Sequence, residues 1–173
     1  MTNLAEQQSA LLALLKKRPL PVHAQADHYL SRVAESRELN LLREIAVWWR
    51  AFGIERNCPH TALLLKRLGR FEPTVEAFYC RHAASPFMEE LAAQFLEVMS
   101  RDADPLVAAM AGFELAVLRT SQGDPREFDI DWDRNPDDVF IALRSEGPLP
   151  EPNGSHRVTV AWRPSSEPDR SLP

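Results

Sequence analysis

Cysteine is nearly absent from this sequence: Cys58 and Cys80 are the only two among 173 residues. Two thiols make no disulfide scaffold, so both are expected to be reduced. Glycine is scarce as well, with six scattered positions and no Gly-rich phosphate loop or dinucleotide fingerprint. No uninterrupted apolar run approaches the roughly 18–20 residues of a membrane span. Leu11–Leu15 is short, and the stretch from Leu106 to Leu118 is broken by Gly112 and Glu114. The first residues, Met1-Thr2-Asn3-Leu4-Ala5-Glu6-Gln7, carry neither a basic region nor a small-residue cleavage site, so no signal peptide is read and a cytoplasmic location is expected. A Ser/His/Asp constellation and an H-E-x-x-H pair are missing too, which leaves the chain poorly equipped as a catalyst.

What is present is a core and a divided charge. Apolar residues make up 45% of the chain, which excludes wholesale disorder. From Asp124 onward eleven acids outnumber six bases, whereas the first 123 residues are balanced at fourteen each. A nucleic-acid binder would show the opposite bias, a basic patch or arm, so nucleic acid is not the expected partner.

Proline and glycine divide the chain into helices. Pro59, Pro73, Pro86, Pro105 and Pro136 each precede a helical apolar pattern, with Ser85 and Asp104 as N-caps. Proline suits the first helical turn because its missing N–H would be unpaired there and its φ is already helical. Gly53, Gly69, Gly123 and Gly147 mark the expected stops. The spacing predicts helices over 3–17, 24–35, 37–52, 59–68, 73–83, 86–100, 105–122 and 136–145. The first aligns Leu4, Leu11, Leu12 and Leu15, with Lys16, Lys17 and Arg18 in a last turn whose dipole favours cations. The third carries Leu41, Leu42, Ile45, Trp48, Trp49 and Phe52, and the sixth Phe87, Leu91, Phe95 and Val98 beside Met88 and Met99; these are expected to be packing faces. Adjacent Trp48 and Trp49 cannot both face a core squarely, which leaves a groove or interface open to one of them, but core or interdomain packing is the favoured reading.

After Gly123 the period changes. Glu127-Phe128-Asp129-Ile130-Asp131-Trp132 and His156-Arg157-Val158-Thr159-Val160-Ala161-Trp162 alternate with period two, as half-buried strands do. A short helix and a Pro/Gly-rich loop, 147–154, separate them. The expectation is a mainly α fold: a bundle of about seven helices over 1–123, a small strand–helix–strand module over 124–163 that packs on it, and a frayed tail over 164–173.

Two C-x-H triplets, Cys58-Pro59-His60 and Cys80-Arg81-His82, invite a zinc reading. Zinc needs four ligands converging at about 2.0–2.3 Å, and helix positions i and i+2 point about 200° apart. No metal site is therefore assigned. Cys58, at a helix N-terminus, is the one candidate nucleophile, with no base beside it except His60. The acidic series Asp129, Asp131, Asp133 with Asn135 imitates a calcium loop. The glycine and glutamate that such a loop requires are replaced by Arg134 and Phe140, or by Pro136 and Ala142 in the other register. A solvated strand face remains, one that can attract a basic peptide.

The opening helix Leu4–Leu15, the block Trp48-Trp49-Arg50 through Cys58-Pro59 to Leu64-Leu65-Lys66-Arg67-Leu68-Gly69, and the later Phe128-Asp129-Ile130-Asp131-Trp132-Asp133-Arg134-Asn135-Pro136 with Ala142-Leu143 and Pro148-Leu149-Pro150 together resemble the small partner proteins of multinuclear non-haem-iron peptide-modifying enzymes. The methanobactin-biosynthesis pair, which acts on a ribosomally made, copper-chelating peptide, is the type, and members were formerly labelled DNA-binding. The resemblance implies a non-catalytic accessory subunit that forms a heterodimer with a larger TIM-barrel enzyme. The iron would reside in that enzyme, and this chain would hold no cofactor and no catalytic residue. It also implies a C-terminal module that binds the leader of a precursor peptide along a strand edge. Main-chain hydrogen bonds supply affinity in such a mode and side-chain pockets specificity. Arg157–Trp162 is the expected edge, with Val158 and Val160 and the acids Asp129 and Asp131 as peptide contacts. Trp48, Trp49 and Phe87 are the expected interface with the enzyme, since aromatics concentrate binding energy. The alternative is a DNA-binding regulator, because such a tail can imitate a winged helix.

Overall fold

A computed structural model describes residues 4–25 and 27–161. The expected strand end at Trp162 and the tail over 164–173 lie outside the described residues. The fold is mainly α, with eight α-helices and one two-stranded antiparallel sheet among the described residues. The helices are α1 (Leu4–Leu15), α2 (His28–Ala34), α3 (Arg37–Asn57), α4 (Pro59–Arg67), α5 (Phe71–Arg81), α6 (Met88–Met99), α7 (Pro105–Ser121) and α8 (Pro136–Ser145). The strands β1 (Phe128–Trp132) and β2 (His156–Val160) flank α8 in sequence. No helix among the described residues is long and apolar enough to cross a membrane.

Local chemistry explains most of the helix ends. Asp104 accepts from the Leu106 N–H at 3.0 Å and Asn135 from the Asp137 N–H at 3.0 Å, each followed by proline at the first helical position. Gly69 and Gly123 adopt φ of +65° and +86°, the left-handed conformation that closes α4 and α7. Asp27 and Ser36 cap α2 and α3 by the same carboxylate and hydroxyl chemistry.

Four local expectations are corrected. Gly53 does not end α3, which continues to Asn57. A Cβ there would meet Met88 Sδ, so this glycine serves close packing between α3 and the start of α6. Gly147 is not the stop of α8, because Glu146 takes the left-handed position at φ 55°. Pro73 is the third residue of α5, still within the turn whose N–H groups lack partners. Ser85 and Pro86 precede α6 rather than starting it. The Ser85 hydroxyl accepts from Phe87 N at 3.2 Å and donates to Glu90 at 2.7 Å, a turn that delays the helix to Met88.

The chain divides into two compact units, Met1–Gln94 and Phe95–Pro173. The compositional change at Gly123 thus marks a switch of secondary structure, and α7 belongs with the strands. In the N-terminal unit one core gathers Ala10, Leu14, Ala24, Leu30 and Leu39. Further along that unit Ile54, Leu64, Leu65, Phe71 and Val75 are buried. Arginines fasten the inner side of α3: Arg43 donates twice to the Leu14 carbonyl, at 3.0 and 2.6 Å, and Arg50 to the Ser85 carbonyl at 2.6 Å. Lys16 and Arg18 donate to the carbonyls of His82 and Cys80 at 2.7 and 2.8 Å. They therefore serve the C-terminus of α5, not that of α1 as expected, since α1 stops at Leu15. Burial, then the neighbouring Arg18 and Arg50, holds the Lys16 ammonium below the ordinary lysine range.

In the C-terminal unit the sheet packs on α7. Ile130 faces Gly112, whose missing side chain leaves room for it at 3.9 Å. Trp132, Phe113 and Phe140 form an aromatic cluster from β1, α7 and α8, with ring centroids 5.4–6.3 Å apart. Arg134 ties the Pro/Gly-rich loop to the end of β1. Its Nη1 donates to the Pro150 carbonyl at 2.7 Å, and its Nε and Nη2 grip Asp133 at 2.8 and 2.7 Å. Asn153 N–H adds a bond to the Asp133 carbonyl at 3.0 Å.

Two expectations follow from this clamp. Arg134→Ala removes three charge-assisted bonds at a largely buried site and should destabilise the unit by about 2 kcal/mol, read by urea titration. The Arg134 guanidinium also holds the Asp133 carboxyl below its usual range, and Arg126 holds Asp124 at about 2. Both folded-state values lie below the unfolded ones. The stability that the Asp133–Arg134 pair contributes is full above pH about 4 and is lost as pH falls through the lowered folded value of Asp133, while the solvent-screened Asp124–Arg126 pair adds little. Melting temperature should fall over that window, and less steeply in Asp133→Asn.

Candidate functional site

The expected packing face of α3 is on the surface. Leu41, Leu42, Ile45, Trp48, Trp49 and Phe52 are between 42 and 59% exposed, although they form one helical stripe. The buried residues of α3 are instead Leu39, Gly53 and Ile54, on the side that Arg43 and Arg50 fasten. Helical α1 shows the same inversion. Ala10 and Leu14 are buried, while Leu4, Leu11 and Leu12 are exposed. Periodicity identified the stripes correctly, but the other side of each helix carries the core.

The aromatic rings of α3 pack on one another at the surface. Trp48 and Trp49 meet edge to face at 5.0 Å, and Phe52 stacks on Trp48 at 5.9 Å. Phe87, 68% exposed, adjoins Met88, which covers Gly53 on the flank of the same helix. Of the residues singled out from sequence as an interface, Trp48 and Trp49 lie on this exposed apolar surface, and Phe87 is exposed just before α6. Leu41, Leu42, Ile45 and Phe52 complete the surface. Their position in the stripe was legible, but its exposure was not.

Two grooves border the stripe. One, of about 500 Å³, is lined almost wholly by apolar side chains, among them Leu11, Leu12, Leu15, Val33, Leu39 and Leu42. The other, of about 700 Å³, runs between α3 and α5 past Trp48, Phe52, Phe71 and Tyr79. The ion pairs Lys17–Glu76 and Lys66–Glu55 stand on its rim, with Glu44 and Glu72 beside them. Soluble monomers rarely display so large a contiguous apolar surface without a partner to cover it.

The sheet distributes its expected peptide contacts over two faces. In the register, Asp129 lies opposite Thr159 and Asp131 opposite Arg157, while Val160 lies opposite Phe128 and Val158 opposite Ile130. The acids and the valines are thus on opposite faces of the sheet. The acids are also engaged: Thr159 Oγ1 donates to Asp129 at 2.6 Å, and Arg157 Nε to Asp131 at 2.8 Å. Asp129 and Asp131 brace the two-stranded sheet across its exposed face, and charge contact with a peptide would compete with that bracing. Val158 and Val160 are half-buried on the face that carries Ile130 and Trp132. Each strand has one partner, so each has one unpaired edge among the described residues.

The cysteine–histidine triplets do not converge. Cys58 is fully buried at the junction of α3 and α4, its Sγ 3.9 Å from the Ala92 carbonyl, beyond the reach of a substrate. Cys80 is partly exposed on α5 and lines the larger groove, and His82 stacks on Phe78 at 5.1 Å. Among the described residues no three His, Cys, Asp or Glu side chains are grouped so as to hold a metal ion. The described residues do present an exposed apolar face on α3 and an unpaired edge on each strand. In comparisons with known proteins, the chain matches no family model, no curated protein and no solved structure.

Proposed function

We propose that this chain is a non-catalytic accessory subunit, acting in the cytoplasm, that docks on a larger enzyme through the apolar face of α3 and helps present a peptide to it. The observation that carries the reading is the exposure of six large apolar residues on α3, three of them aromatic. Buried aromatic anchors dominate the energetics of interfaces. The unpaired edge of β2 supports the second half of the reading, because a strand edge takes an extended peptide through main-chain bonds alone. The enzyme that the sequence resemblance implies is an iron-dependent TIM barrel modifying the cysteines of a ribosomally made peptide, with the iron held entirely by that partner. The test is co-purification of this chain with the product of its neighbouring gene, followed by metal analysis. A one-to-one complex whose iron stays with the larger subunit supports the reading. A chain that purifies alone from cells producing both overturns it.

A further inference from the structure

The exposed stripe of α3 has a symmetry that its role in docking an enzyme does not require. Along its midline stand Glu38, Leu42, Ile45, Trp49, Phe52 and Arg56, at alternating spacings of four and three. That is the spacing of an a/d seam, which keeps one line of side chains facing a partner helix. The seam reads as an acid, four apolar residues and a base. Reversed about the level of Val47, the same positions coincide with themselves. A second copy of α3 laid antiparallel therefore places Glu38 against Arg56, Leu42 against Phe52 and Ile45 against Trp49, each pair occurring twice. Glu38 and Arg56 are exposed, as are all four apolar members of the seam.

We infer that the chain by itself forms an isologous antiparallel dimer through α3, with its two-fold axis at the level of Val47 and Glu38–Arg56 pairs closing both ends. The argument is one of self-complementarity. In an isologous interface a residue i that meets j requires j to meet i, and an acid at one end with a base at the other satisfies that only when the helices run antiparallel. A parallel pairing sets Glu38 against Glu38 and Arg56 against Arg56, which repel. The seam from Glu38 to Arg56 is about 27 Å long at 1.5 Å per residue, enough for a continuous helix–helix contact. The exposed Leu11 and Leu12 of α1, beside Leu42 in the smaller groove, widen the surface that the second copy covers. Because this is the face proposed above to dock an enzyme, self-association and enzyme docking exclude each other. The dimer is the form in which the apolar face is covered until the enzyme displaces one copy. That consequence rests on the docking proposal; the dimer itself does not.

The experiment uses the full chain alone. Sedimentation equilibrium from about 1 µM to about 0.1 mM should show the mass doubling from 19.6 kDa. Glu38→Arg and Arg56→Glu each set like charges at both ends and should weaken self-association at least about tenfold. Mixed one to one, the two variants regain opposite charges at both ends and should pair with each other in preference to themselves. The charges of Glu38 and Arg56 also suit the dipole of their own helix, and circular dichroism of each variant reports that effect. Mixing leaves each helix's own dipole unchanged, so recovery on mixing reads the pairing alone. A wild-type chain that stays monomeric to about 0.1 mM overturns the inference, as do variants that associate unchanged or a mixture that fails to recover. None of these results touches the enzyme-docking proposal, which is tested on co-produced protein.

Discussion

Replacing Trp132 by alanine should destabilise the C-terminal unit by about 3–5 kcal/mol, the largest single loss expected in this protein. Trp132 is 1% exposed and is the largest fully buried side chain of the molecule's described residues. It joins three elements, since its ring meets Phe113 of α7 at 6.3 Å and Phe140 of α8 at 6.1 Å. Alanine would leave a cavity that a strand between a helix and a loop cannot collapse to fill, because Arg134 and Asn153 hold the neighbouring backbone in place. Melting temperature should drop by about 10 °C or more, and amide exchange in β1 and α8 should accelerate. Trp132→Phe separates packing from polarity. The indole Nε1–H is buried without a hydrogen-bond partner among the described residues, so phenylalanine removes an unsatisfied donor along with part of the volume. It should recover most of the loss. A Phe variant as unstable as the Ala variant would show that the ring's full size, not its apolar area, holds the cluster.

The double change Ile45→Asp with Trp49→Asp should have the opposite profile, with little effect on folding and a large one on association. Both side chains are exposed, at 43 and 52%, and the buried side of α3 is fastened elsewhere by Arg43, Arg50 and Ile54. Surface substitutions of this kind change stability by about 0.5 kcal/mol or less, so melting temperature should move by only a few degrees. Binding of the proposed enzyme should weaken at least about a hundredfold, because two carboxylates would be desolvated at the centre of an apolar contact. Pull-down and titration calorimetry with the co-produced subunit read the loss, and circular dichroism confirms the fold. Unchanged binding with an intact fold would remove α3 from the interface. A collapse of the fold would mean that the stripe contributes to stability in a way its exposure does not suggest.

The cysteines illustrate how spacing can mislead. Cys58-Pro59-His60 and Cys80-Arg81-His82 look like half-sites in sequence, but the fold sets the two cysteines in different surroundings. Cys58 is enclosed beneath the α3–α4 junction, while Cys80 opens on the larger groove between α3 and α5. The acidic strand is a comparable case. Asp129 and Asp131 were legible as one solvated face, but the residues across from them depend on strand register, which no single strand encodes.

The sequence by itself determined what is local. Asp104-Pro105 and Asn135-Pro136 start helices because a side-chain acceptor and a missing N–H act within three residues. Gly69 and Gly123 end them because only a residue without Cβ enters the left-handed region freely. The period-two alternation of 128–132 fixes which residues of β1 share a face, and Ile130 and Trp132 are indeed its buried pair. Tertiary structure decided everything that depends on what lies opposite. An apolar stripe states that a helix has a face to cover and leaves open what covers it. On α1 and α3 the core took the other side, where Ala10, Leu14, Leu39 and Ile54 pack and arginines reach across to carbonyls. Gly53 reads as a stop in one dimension and as a packing notch in three, because Met88, thirty-five positions away, needs the space its side chain would take. Burial is a property of pairs of elements, and the pairing energy is summed over residues too distant in the chain for any local pattern to register.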